Sequence, residues 1–199
     1  FGVKQRGLLQ SKGKTPDVLV MSATPIPRTL SMTVYGDLDL SVITEMPKNR
    51  IPIKTVLRGE KKLPEIYNFI IDKAKEGYQT FLVYPLVEDS EKLDLKAAIT
   101  FYEDLKDNHL KNLKLGLIHG RMSWQEKEEA MYLFLDKKFD VLVSTTVIEV
   151  GIDIPDANII LINDAHRFGL SQLHQLRGRV GRSNKQAYCI LITKDEIAA

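Results

Sequence analysis

The chain has 199 residues, of which 44% are hydrophobic and 27% carry a charge, and its formal net charge at pH 7 is +2. This length suits one sizeable core, or one domain plus part of another, and the small net charge excludes a uniformly basic nucleic-acid-binding chain. The single cysteine excludes an internal disulfide and predicts a reducing, cytoplasmic location, while no apolar run approaches the roughly 20 residues that a membrane span needs.

In residues 1–46, a predicted strand is followed by small residues with hydroxyl side chains. Val18–Met21 predicts a short strand, which runs into Ser22 and Thr24 before two prolines open a helix. A second short strand is expected at residues 40–43. Hydroxyls at the carboxyl end of a strand lie where open α/β sheets bind their ligands, so Ser22 and Thr24 are candidate functional residues. A helix cap at Thr24 explains the same pattern.

The segment PKNRIP, residues 47–52, predicts a linker and therefore a boundary between units 1–46 and 47–199. Beyond it, apolar strands alternate with amphipathic helices. The strands are expected in 53–57, 79–86, 113–120, 140–145, 158–163 and 187–193, and the helices in 61–77, 95–108, 123–138 and from about 171. Ser123 and Glu126 form a capping-box pattern at the start of the third helix. The alternation predicts a mostly parallel sheet with helices on both faces.

In the run QLRGRVGR, residues 175–182, two of the three arginines, Arg179 and Arg182, each follow a glycine and lie three residues apart. Guanidinium is planar and permanently charged, and it matches phosphate oxygens, so Arg179 and Arg182 are candidate phosphate ligands. Glycines 178 and 181 allow a close backbone approach. The alternative reading is a solvated basic helix end.

The turn GIDIP places Gly151 and Asp153 where a carboxylate can accept a hydrogen bond from a ribose hydroxyl, although such residues are also ordinary turn formers. Just before it, Ser144, Thr145 and Thr146 end a strand and are either phosphate donors or simple caps.

The segment HGR, residues 119–121, ends another strand in front of the capped helix, whose N-terminal amides would suit a phosphate. His166 and His174 have no second ligand at a recognised spacing, so no metal site is predicted.

Five segments, taken together and in order, resemble the motifs of superfamily 2 helicases. SATPIPRTL resembles motif III, FLVYPLVEDS motif IV, LIHGRM the segment between motifs IV and V, STTVIEVGIDIP motif V, and QLRGRVGR motif VI. Within the superfamily, YPLVEDSEKLDLKAA and IHGRM favour the RecG family of bacterial ATP-dependent DNA helicases. The runs TPIPRTLSMTVYGDLDLSVI and RFGLSQLHQLRGRVGRS are shared in pattern with the transcription-repair coupling factor Mfd, which is the alternative.

The resemblance implies that residues 1–46 are the tail of a first RecA-like lobe and that 47–199 form the second lobe, with helicase motifs IV to VI. It implies ATP and Mg²⁺ as cofactors, bound mainly by the first lobe. Branched or double-stranded DNA is the implied partner, including stalled forks and Holliday junctions, with single-stranded DNA-binding protein as a further expected partner. The implied roles are arginine fingers for Arg179 and Arg182 with Gln175 beside them, nucleotide contacts for Gly151 and Asp153, DNA contacts for Ser144, Thr145, Thr146, Gly120 and Arg121, and coupling of hydrolysis to movement for Ser22 and Thr24.

Two motifs of that superfamily are absent from these 199 residues, the Walker A lysine and the DExH box. Gly13-Lys14-Thr15 does not form a Walker A motif, because that motif requires a glycine five positions before Gly13, where this chain has Leu8. We therefore expect a fragment that begins after the DExH box and does not hydrolyse ATP alone. A non-enzymatic α/β binding module and an RNA substrate remain open. The motor interpretation requires both arginines to lie outside the core and to face the strand ends that bear the threonines and Asp153.

Overall fold

The computed structural model describes residues 51–85, 91–145 and 153–195, with the backbone alone at 91–95, and five isolated earlier positions, Leu19, Met21, Ser41, Ile43 and Glu45. The chain divides into two compact units, Phe1–Val42 and Ile43–Ala199. The proposed boundary after residue 46, and the assignment of the units to two lobes, remain predictions. Four of the predicted site residues, Ser22, Thr24, Thr146 and Gly151, lie outside the described residues.

The two short strands expected before residue 46 are wrong at the positions that can be checked. Leu19 and Met21, in the first, and Ser41 and Ile43, in the second, have no regular secondary structure. A strand requires a neighbour to accept its backbone hydrogen bonds, and the described strands pair only with one another between residues 54 and 193. Apolar composition alone was therefore not enough to predict a strand in these two segments.

The described residues build a six-stranded sheet in which every pair is parallel. Its strands are β1 (Lys54–Gly59), β2 (Gln79–Val83), β3 (Leu115–Ile118), β4 (Val141–Ser144), β5 (Ala157–Ile162) and β6 (Tyr188–Thr193), in the order β1-β6-β5-β2-β4-β3. Since all strands run the same way, the sheet has one amino edge, where the strands begin, and one carboxyl edge, where they end. These two edges position the candidate site.

Four of the five connections between strands contain helices among the described residues. They contain α1 (Leu63–Lys75), α2 (Glu91–Asp104), α3 (Trp124–Leu135) and α4 (Leu170–Arg177), with a π-helical turn at Leu105–His109 and 3₁₀ turns at Glu60–Lys62 and Ala165–Arg167. The capping box of α3 is confirmed: Glu126 N donates to Ser123 Oγ at 3.2 Å, and Ser123 N donates to Glu126 Oε2 at 2.6 Å. The helix stops at Leu135, before the predicted residue 138, and Lys137 beyond it takes a left-handed φ of 57°.

The sheet is covered on both faces, as its continuous apolar strands predicted. Successive residues of β2, β4 and β5 point to opposite faces, and every residue of these strands is buried. One face packs Phe81, Leu142 and Ile160 against Met131 and Phe134 of α3, and the other packs Leu82, Val143 and Leu161 with Ile70 and Leu105. The α/β fold with a parallel sheet between helical layers is confirmed. Within the described residues, no helix combines the length and apolar character needed to cross a membrane.

Candidate functional site

Arg182 and Asp153 lie together at the amino edge of the sheet. Arg182 Nη1 is 3.2 Å from Asp153 Oδ1, and the two side chains retain 39% and 59% of their accessible surface. Asp153 precedes β5 and Arg182 precedes β6, which is the strand paired with β5. The ion pair therefore brings residues of two sequence motifs together at one accessible place.

A left-handed glycine sets the position of Arg182. Gly181 has a φ of +77°, a conformation that side chains with a Cβ rarely adopt. A Cβ there would lie 3.1 Å from Ile53 Cγ1 and 3.2 Å from the Cβ of Ala187, residues that directly precede β1 and β6. Gly181 thus lets the chain turn closely against the amino edge and directs Arg182 outward.

Arg179 and Gln175 lie on the approach to this turn. Gln175 is exposed in the last turn of α4, and Arg179 is half-buried directly after the helix, with its amide donating to Leu176 O at 3.0 Å. Val180, between the two arginines, is fully buried in the core beside α3. A buried residue, Val180, therefore lies between two arginines that are both accessible to solvent.

The segments around Asp153 and Arg182 are joined by further contacts, which the sequence did not single out. Ser183 Oγ is 3.0 Å from Asn158 Oδ1, and Asn158 Nδ2 donates to Pro155 O at 3.3 Å. Lys185 Nζ lies 3.4 Å from Asp156 Oδ1. The only sequence signal was a polar residue, Asn158, inside the apolar strand ANIILI.

Asp156 is the most strongly paired carboxylate at this edge. Lys137 Nζ lies 2.6 Å from its Oδ2, opposite the contact from Lys185. The hydrogen bond from Lys137 is the largest cause that lowers the pKa of Asp156 below its ordinary 3.8, and it outweighs partial burial. Asp156 is therefore ionised at neutral pH.

Ser144 and Thr145 lie at the opposite, carboxyl edge. Ser144 ends β4, where its carbonyl accepts from Tyr84 N at 2.9 Å, and Thr145 N donates to Ile118 O at 3.1 Å. Both side chains are buried, and Thr145 Oγ1 has no hydrogen-bond partner in the part of the chain that the structure describes. The two hydroxyls are thus withdrawn from the surface.

Gly120 and Arg121 are exposed at the same edge, between β3 and α3. The start of α3 is not a vacant anion site, because the amide of Glu126 is used by Ser123 and the Glu126 carboxylate lies in the first turn. Burial is the main cause that lowers the pKa of His119 below 6.5, so its ring is neutral at pH 7. Gly120 and Arg121 therefore form the accessible part of the predicted nucleic-acid surface.

The expectation that the arginines face the strand ends bearing both the threonines and Asp153 is half wrong. Arg182 pairs with Asp153 as required, but Thr145 lies at the other edge. The reason is topological: β4 and β5 are parallel, so the segment that leaves β4 after Thr145 has to return to the amino edge before β5 begins. The site consists of two groups on opposite edges, one suited to phosphate and ribose and one to a nucleic-acid backbone.

The donor set at the amino edge fits a nucleotide. An exposed guanidinium beside an exposed carboxylate offers a cation for phosphate oxygens and an acceptor for a ribose hydroxyl. Among residues 51–85, 96–145 and 153–195, no three His, Cys, Asp or Glu side chains come close enough to hold a metal ion.

The sequence profile of the helicase conserved C-terminal domain matches residues 61–184, a range that includes the exposed pair of Arg182 and Asp153 and both edges of the sheet. The chain belongs to this helicase family. The RecA-like fold class predicted from the motifs is thereby confirmed.

Individual relatives confirm the resemblance to RecG and favour it over the Mfd-like alternative. The chain is 52% identical to the ATP-dependent DNA helicase RecG of Thermotoga maritima over 98% of its length, and 54% identical to that of Aquifex aeolicus over 99%. In both cases it spans 25% of the relative's length. A solved structure of RecG bound to a three-way DNA junction is similar, at 49% identity and a TM-score of 0.77, and covers 92% of this chain and 24% of that one.

Proposed function

We propose that this helicase C-terminal domain is the second motor lobe of an ATP-dependent DNA translocase that remodels branched DNA. Two relatives with which it shares 52% and 54% identity are described as ATP-dependent DNA helicases, and a similar structure is that of RecG on a three-way DNA junction. A role in repair and recombination, a cytoplasmic location, Mg²⁺ as the companion of ATP, and single-stranded DNA-binding protein as a partner are finer parts of the same proposal.

The observation that carries the proposal is the accessible pair of Arg182 and Asp153 behind the left-handed Gly181. ATP supplies the free energy of phosphoryl transfer when it is bound. Arg182 would hold the phosphates and counter the charge that develops on them, with Arg179 and Gln175 beside it, and Asp153 would accept from the ribose. Gly151 would support the same contact.

The ion pair itself has a role in this scheme. Asp153 neutralises Arg182 in this pair and would hold the guanidinium near the position from which it meets a phosphate. Because both groups are exposed, water screens their attraction and the pair opens at little cost when a phosphate competes for the arginine. Asp153 is then released toward the ribose.

DNA would lie against the carboxyl edge, on the far side of the sheet. Gly120 and Arg121 are exposed there and suit non-specific backbone contacts. Because the side chains of Ser144 and Thr145 are buried, they would support the DNA contact of Thr146 from the end of β4 and not touch the DNA themselves. Ser22 and Thr24 would couple hydrolysis to movement. With the two groups on opposite edges, the sheet is the rigid body between nucleotide and DNA.

The test uses the full gene product that contains this chain, with ATP turnover measured on a branched DNA. Arg182→Ala should lower kcat by about a thousandfold, because an arginine finger contributes that much or more. Arg182→Lys should restore little of it, since lysine keeps the charge but not the fork. Branched-DNA affinity without nucleotide should stay within twofold for both variants.

The isolated 199-residue chain should show no ATP turnover, because it has neither a Walker A lysine nor a DExH box. Wild-type turnover by Arg182→Ala, or turnover by the isolated chain, would exclude the proposed role. A protein that binds DNA but never hydrolyses ATP would indicate the non-enzymatic module instead.

A further inference from the structure

We propose that Asn158 and Ser183 are positioning residues, a hydrogen-bonded link that fixes Arg182 relative to Asp153 and thereby sets the rate of phosphoryl transfer. The inference rests on the proposed function, because it assigns a partner to the arginine-bearing loop of that same site. Neither residue touches the nucleotide in this scheme. Both act through the loops that they join.

The link is continuous between the two loops. Ser183 Oγ donates to Asn158 Oδ1 at 3.0 Å and accepts from Lys185 N at 3.3 Å, so the hydroxyl uses both of its capacities. The amide of Asn158 then donates to Pro155 O at 3.3 Å. One side chain thus holds the loop that follows Asp153 and the loop that follows Arg182.

The other polar contacts between these loops are less able to fix geometry. The pair of Arg182 with Asp153 is exposed on both sides, and Lys185 reaches Asp156 at 3.4 Å from a side chain that keeps 36% of its surface. Water screens such pairs, and long side chains keep them mobile. Asn158 is fully buried, so it would bear the whole desolvation penalty if its partners moved away.

The chemistry of position 158 supports a positioning role over simple packing. Every other residue of β5 is apolar and buried, and an apolar side chain would fill the position without needing partners. The asparagine instead has both ends of its amide used, each by a different loop of the nucleotide group. A buried polar group with a partner at each end favours one arrangement over its neighbours.

The experiment compares three variants of the full gene product, with steady-state ATP turnover on branched DNA. Ser183→Ala removes the hydroxyl, Ser183→Thr keeps it, and Tyr102→Phe is the matched control. Tyr102 Oη donates to Leu115 O at 2.9 Å, so the control deletes a hydroxyl-to-carbonyl bond far from the arginine loop.

Ser183→Ala should lower kcat about fivefold, the equivalent of one ordinary hydrogen bond, with the KM for ATP and the DNA affinity within twofold of wild type. Ser183→Thr should recover at least half of the lost rate. Tyr102→Phe should leave kcat unchanged, although the loss of its hydrogen bond should lower its melting temperature about as much as Ser183→Ala lowers that of the protein. A loss confined to kcat and rescued by threonine identifies positioning, since reduced stability alone predicts neither.

Wild-type kcat in Ser183→Ala would overturn the inference, as would equal losses in the alanine and threonine variants or in Tyr102→Phe. These results all presuppose a wild-type protein with DNA-stimulated turnover that depends on Arg182. If that turnover is absent, the proposed function fails first, and the two failures are told apart by the wild-type and Arg182→Ala measurements.

Discussion

Gly178 and Gly181 each directly precede one of the two arginines, and the structure predicts different losses of stability when each is changed to alanine. Gly181 has a φ of +77°, whereas Gly178 ends α4 with a φ of −68°. A Cβ at Gly178 would meet Gln175 O at 3.4 Å, an ordinary contact, while a Cβ at Gly181 would meet Ile53 and Ala187 at 3.1 and 3.2 Å. Only the second position needs glycine.

The magnitude follows from three contributions. A side chain in the left-handed region costs about 1–2 kcal/mol, and pushing Ile53 and the buried Ala187 apart adds about 1 kcal/mol. The reduced freedom of the unfolded chain offsets about 0.5 kcal/mol. Gly181→Ala should therefore lower the free energy of unfolding by about 2 kcal/mol, which for a chain of this size lowers Tm by about 4–8 °C. Gly178→Ala should change it by less than about 0.5 kcal/mol.

Thermal unfolding of the two purified variants, followed by circular dichroism, measures the difference. In the full gene product, Gly181→Ala should also reduce kcat, since the turn that directs Arg182 outward is displaced. Equal melting temperatures for the two variants, or a lower one for Gly178→Ala, would refute the reasoning from backbone conformation.

Two further outcomes follow from ionisable groups. Because the pKa of Asp156 is lower in the folded chain than its ordinary 3.8, the carboxylate stabilises the fold above about pH 4, and that contribution is lost as the pH falls through the folded pKa. As the pH falls below about 4, the Tm of the wild type should therefore fall more steeply than that of Asp156→Asn, and parallel curves would contradict this. Burial raises the pKa of the Cys189 thiol to about 11, so iodoacetamide should label it only after unfolding in urea, as mass spectrometry would detect; rapid labelling of the native chain would exclude burial.

Local signals account for what the sequence predicted well. Continuous apolar runs such as QTFLV predicted strands buried on both faces, and the Ser123–Glu126 box predicted the start of α3, because each signal depends on residues within a few positions. The candidate site residues Arg182 and Asp153 were predicted from their chemistry and from the motif resemblance. Their contact across 29 residues of sequence came from the fold.

The rest depends on contacts that no local pattern encodes. Which edge of the sheet carries Thr145, and which carries Asp153, is decided by strand order and direction. Burial of Ser144 depends on its strand lying between two others. The bond from Ser183 to Asn158 joins residues 25 apart in sequence, and only the polar character of position 158 hinted at it.

The pairing of β1 with β6 has a consequence for biosynthesis. Gln186 Nε2 donates to Pro52 O at 2.9 Å across 134 residues, and the two strands next to this contact are neighbours in the sheet. Contacts of such long range close late, because the loop entropy has to be overcome before they form. On the ribosome, β1 emerges before β6 and has no paired neighbour until the arginine-bearing loop and β6 have been translated. A nascent chain that stalls between them would present an unpaired strand, the kind of edge at which aggregation begins.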